Sequence, residues 1–135
     1  MAIDDRRIAW LLTAEVFECG SAAIKACLSV AAEAGFCVVA MNHSMATGGI
    51  GTEIQAEAMR LGLQSIFVND AAHCRLGSTL GDAERWSLAQ ALSRDGFDGF
   101  ILCEVCDSRP RAESLLATAR VLLRDLDQLD WECYH

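Results

Sequence analysis

The 135-residue chain has one proline, one tyrosine and, at Lys25, its only lysine. Each scarcity excludes something. With Pro110 standing alone, no proline-rich linker divides the chain. With one lysine and a formal net charge of -8, the chain is a poor candidate for holding a nucleic-acid polymer by counterion release. A single nucleotide stays within reach, because backbone N–H groups and one arginine can hold one phosphate. No apolar run approaches the roughly 18 residues of a membrane span, so no membrane partner is expected. Asp4 and Asp5, with no apolar stretch after a basic start, argue against a signal peptide. His43, His73 and His135 lack metal-ligand spacing, so no metal is expected, and nothing in the sequence asks for a cofactor.

Cysteine is not scarce. Cys19, Cys27, Cys37, Cys74, Cys103, Cys106 and Cys133 form an odd set, several within apolar runs. That usage suits the reduced thiols of a cytoplasmic protein better than a disulfide framework. Cys103-Glu-Val-Cys106 has the spacing of a zinc or redox motif but no second pair. It overlaps a predicted strand end, where alternation would put the two thiols on opposite faces.

The apolar fraction of 53% is enough for one domain, residues 1–135, with a real core. Residues 7–13 read as a strand or a short helix, and residues 15–20 as a connection. Ser21 can cap a helix running to Ala34, with Ile24, Leu28 and Ala31 on one face and Gly35 as its C-cap. Residues 36–41, Phe-Cys-Val-Val-Ala-Met, suit a strand buried on both faces. Residues 52–61 read as a helix with an Ile54, Ala58, Leu61 stripe, ended by Gly62, and residues 64–70 as the next strand. Residues 69–81 read as a polar loop. Asp82 caps a helix to about Arg94, with Trp86, Ala89 and Leu92 inward and Arg85 on a solvated face. Residues 97–105 give a fourth strand. Ser108 and Pro110 open a long helix to about Leu126, striped by Leu115, Ala119, Leu122 and Leu126. The tail, with Trp131 and Tyr134, is expected to dock. Alternating patterns of this kind predict an α/β fold, a small mainly parallel sheet of about four strands with helices on its faces, in Rossmann-like or flavodoxin-like layers.

The chemistry gathers at residues 42–53. Asn42, His43, Ser44 and Thr47 lead into Gly48-Gly49-Ile50-Gly51 and then Glu53. The glycines permit close backbone approach to a ligand, and the following helix points unpaired N–H groups at the loop. Thr52 and Gln55 have capping-box spacing, which starts the helix at Thr52 and puts Glu53 in its first turn. The same residues also fit a plain tight turn followed by a carboxylate that only complements the helix dipole. Functionally, a carboxylate there can act as nucleophile at an anomeric carbon or bind sugar hydroxyls. In parallel sheets ligands sit beyond the carboxyl ends of the strands, so Arg75 and Ser78 of the second polar loop could reach the same anion.

Read together, Val38-Val-Ala-Met41, Gly49-Ile-Gly-Thr-Glu53, Ala56-Glu-Ala58, Leu61-Gly62, Ser65-Ile-Phe-Val68, and then Arg75, Ser78 and Gly81 follow a recognisable order. It resembles the nucleoside 2-deoxyribosyltransferase-like superfamily, which includes 2′-deoxynucleoside 5′-phosphate N-hydrolases. The resemblance implies that Glu53 is the nucleophile cleaving an N-glycosidic bond. It implies a nucleotide or nucleoside as small-molecule partner, with Ser44, Thr47, Gly49 and Gly51 facing the 5′-phosphate where there is one. It also implies that Ser78 reaches a neighbouring subunit of a homo-oligomer. The acidic residue usual before the central strand is replaced here by Ala34-Gly35, which favours a noncatalytic nucleotide-binding or protein-interaction domain as the alternative. His43-Ser44 and Gly48-Gly-Ile-Gly51 also resemble the C-terminal domain of transketolase-like enzymes, which is mostly an interface.

Overall fold

Short apolar runs become strands because they alternate between two buried faces. In the computed structural model, the described residues are 5–42, 49–68, 74–104 and 108–134. After a 3-10 turn at Asp5–Arg7, β1 spans Ile8–Leu11, β2 Val38–Asn42, β3 Gln64–Val68, β4 Cys74–Leu76 and β5 Ile101–Cys103. All pairings are parallel, in the order β3-β2-β1-β5-β4. The α/β class is as the sequence predicts, with five strands where about four were expected. The additional strand, β4, lies inside the predicted loop. Cys74 and Leu76 are buried and Arg75 is exposed, a two-residue alternation too short to stand out among polar neighbours.

Alternation sorts the sheet residues into two apolar clusters. Ile8, Trp10, Leu12, Val39, Met41, Ile101 and Cys103 belong to one, and Ala9, Leu11, Val38, Ala40, Val68 and Leu102 to the other. Every buried apolar side chain described on a helix joins the first cluster. The topology gives the reason. The steps β1 to β2, β2 to β3 and β4 to β5 all move in the same lateral direction. Right-handed crossovers in one direction put their helices on one face.

The helices are α1 (Ala14–Glu18), α2 (Ser21–Ala34), α3 (Gly49–Arg60), α4 (Asp82–Arg94) and α5 (Arg109–Tyr134). α1 replaces the expected connection, because Val16 is buried and Phe17 packs against the core. α2 buries Ile24, Leu28 and Ala31 as the spacing predicts, with Cys27 added. Gly35 ends it at φ 109, a left-handed conformation that disfavours any side chain. A Cβ there would also sit 3.3 Å from Leu116 Cδ2. The position where the resembled superfamily carries an acidic residue is therefore closed to one by backbone geometry.

α5 lies over the middle of this architecture. Its predicted stripe, Leu115, Ala119, Leu122 and Leu126, is buried, as are Leu116 and Leu123. The helix runs past the predicted end at Leu126, while the side chains of Trp131 and Tyr134 lie outside the described set. In α4, Ala89 is inward, but Trp86 is 36% exposed, contrary to the predicted packing. Arg85 also departs from its predicted solvated face. Its Nε donates to Asp125 Oδ2 at 3.0 Å and its Nη1 to Asp82 Oδ1 at 2.9 Å, so α4 is tied to α5. The larger influence, the hydrogen bond to Asp125, and then that to Asp82, raise the affinity of Arg85 for its proton.

Two substitutions test this reading. Leu122→Ala should lower stability by about 2–5 kcal/mol. Gly35→Ala should cost about 1–2 kcal/mol, the penalty of a left-handed backbone for an L-residue. Urea unfolding measures both. A Gly35→Ala midpoint equal to that of the wild type would contradict the assigned backbone conformation.

Candidate functional site

The helix behind the glycine-rich stretch begins at Gly49, not at Thr52. Thr52 is already inside α3 and cannot serve as its N-cap, so the predicted capping box does not form. Gly49 and Gly51 are first-turn residues rather than loop residues, the former exposed and the latter buried. Glu53 consequently falls in the second turn, beyond the terminal residues where a carboxylate best complements its own helix dipole.

Glu53 instead faces α2. Ser21 Oγ donates a hydrogen bond to Glu53 Oε2 at 3.2 Å. Ser21 is the first residue of α2, whose N-cap, Gly20, offers no side chain to the helix amides. Glu53 therefore brings a carboxylate from α3 to the positive end of α2, a favourable placement for a negative charge. Ser21, Ile24 and Lys25 of α2 and Glu53 and Ile54 of α3 line a shallow open surface groove that encloses essentially no volume. Common ligand clefts enclose ~300–1,000 Å3. This groove is a surface depression by comparison, and a group bound there would rest on its wall rather than inside it. Ile24 and Ile54 form an apolar floor, both nearly inaccessible. Lys25 also bears on the next turn of α3. Glu57 has its carboxyl held below the usual range, mainly by the hydrogen bond from Arg60 and its charge, with Lys25 adding to the effect.

The other predicted site residues are distributed as follows. Asn42 ends β2, half-buried and paired with Val68 of β3. His43, Ser44 and Thr47 lie outside the described residues. Arg75 sits in β4 and pairs with Glu104 at 3.3 Å, across the surface beyond β5. Ser78 is exposed just after β4. Neither lines the groove beside Glu53. Between β2 and β4 stand β1 and β5. Three strand spacings amount to about 14 Å. The fold therefore places Glu53 and the Arg75–Ser78 stretch at different stations along the sheet.

Ser21 and Lys25 are the polar groove residues that sequence reasoning did not assign to the site. A signal was present: they stand four residues apart on α2, on one helix face, and Lys25 is the only lysine. Another group at the carboxyl end of the sheet is Thr13, just after β1, whose buried Oγ1 has no partner among the described residues.

The chain matches no protein-family model, no curated protein and no solved structure.

Among the described residues, no set of three or more His, Cys, Asp or Glu side chains is arranged to hold a metal ion. Cys103 is fully buried in the helix-side core, and Cys106 lies outside the described residues. Cys19, Cys27, Cys37, Cys74 and Cys103 are free thiols. Burial, followed by the neighbouring Cys74, pushes the Cys103 thiol up to about 12. Such a thiol is inert as a nucleophile near neutrality. No helix described is long and apolar enough to cross a membrane.

The thiols provide a direct check. At pH 8, exposed Cys19 and Cys37 should be alkylated readily, while Cys27, Cys74 and Cys103 should react only after denaturation, as mass mapping would reveal. Stability should also fall as pH rises from the ordinary thiol value toward 12. The unfolded thiol gives up its proton there and the folded Cys103 thiol keeps it, so the unfolded state binds fewer protons. Cys103→Ala should flatten that part of a denaturation-versus-pH curve.

Proposed function

We propose that the groove between α2 and α3 is the ligand site of a nucleoside- or nucleotide-directed protein, with Glu53 as the nucleophile of N-glycosidic cleavage or transfer. The observation that carries the reading is the Ser21–Glu53 hydrogen bond at 3.2 Å on the wall of a groove with an apolar floor and one lysine. Hydrogen bonding leaves Oε1 of Glu53 available while Oε2 is held, the orientation a carboxylate nucleophile needs. The resemblance to the nucleoside 2-deoxyribosyltransferase-like superfamily points to the same residue.

In this mechanism Oε1 forms a bond to the anomeric carbon as the bond from that carbon to the base nitrogen breaks. The electron pair leaves with the base, which takes a proton from water. A water molecule, or a second base in the transfer reaction, then displaces Glu53. The cationic character of the transition state is what a negative carboxylate stabilises. The leading amides of α3 and the Lys25 ammonium supply donors for the sugar or its phosphate.

A specific observation favours a second reading, noncatalytic binding. Glu53 is exposed, and its carboxylate sits where α2 lacks a side-chain cap. A cap needs no substrate. The two readings separate when the protein is incubated with a panel of 2′-deoxynucleosides and their 5′-monophosphates. Chromatography should detect free base with the wild type and none with Glu53→Gln. Release that persists in Glu53→Gln would remove the nucleophile assignment. Ligand-dependent thermal stabilisation of both proteins with no free base would establish the binding reading instead. Ser21→Ala should lower turnover while preserving the thermal shift, if the hydroxyl orients the carboxylate.

A further inference from the structure

We draw no further inference here: the strongest candidate, the arginine-rich surface at the amino end of α5 where Arg75, Arg109 and Arg111 meet the carboxyl ends of β4 and β5, has these side chains held by Glu104, by Glu113 and by the Gly77 carbonyl, and no second observation at that helix terminus points to a ligand.

Discussion

The structure depends on one seam, the packing of the α5 leucines against the middle of the sheet. β1 joins β2 on one side and β5 on the other, and α5 lies against β1, β5, α2 and α4. The β1–β5 pairing joins the β1–β2–β3 half to the β5–β4 half, and α5 spans both. Leu115, Leu116, Leu122, Leu123 and Leu126 are all buried in that seam. Each contributes about 1.5–3 kcal/mol relative to exposure, as an upper estimate. The polar tie between Arg85 and Asp125 sets how α4 sits on α5, but it acts on a contact already made by apolar side chains.

The candidate site is held far more lightly. A single exposed hydrogen bond between Ser21 and Glu53 contributes up to ~1 kcal/mol. It joins the start of one helix to the second turn of another, so its geometry follows from how α2 and α3 rest on the same sheet face. Ile54 and Ile24, buried beneath it, fix that spacing. The same arrangement explains the structural and chemical aspects of Glu53 together. A carboxylate drawn to the bare end of α2 is also a carboxylate displayed at the rim of a groove. The sheet order accounts for the separation of Arg75 and Ser78 from this groove, since the chain enters β4 at the opposite edge from β3.

Much of the fold was legible because it rests on periodicity. The α2 and α5 stripes, the buried run in β2, and the stops at Gly35 and Gly62 follow from spacing and from the conformational freedom of glycine. The failures have physical causes. β4 is three residues long, below the length at which alternation separates from chance. α1 is a single turn stabilised by tertiary burial of Val16, not by local propensity. Glycines at positions 49 and 51 argued for a loop, whereas tertiary packing of Ile54 and Ala58 carries the helix back through them. Arg85 looked solvated because its partner, Asp125, is 40 residues away in the chain. Glu53 was expected to face the glycine-rich loop, and no local pattern discloses that its partner is Ser21 of α2, because helix packing is a long-range property.

The pairing of Ile8 with Ile101 bears on how the molecule is assembled during synthesis. The central strand is made first and its second neighbour emerges only after most of the chain. Until then the nascent β1–β2–β3 unit has an open hydrogen-bonding edge in the middle of what will become the sheet, not at its rim. Closure must bridge a sequence separation of more than two-thirds of the chain, which slows it relative to local helix formation. A protein of this layout passes through a stage at which the edge of its own core is open to a stray strand, and it benefits from rapid completion of its carboxyl-terminal third.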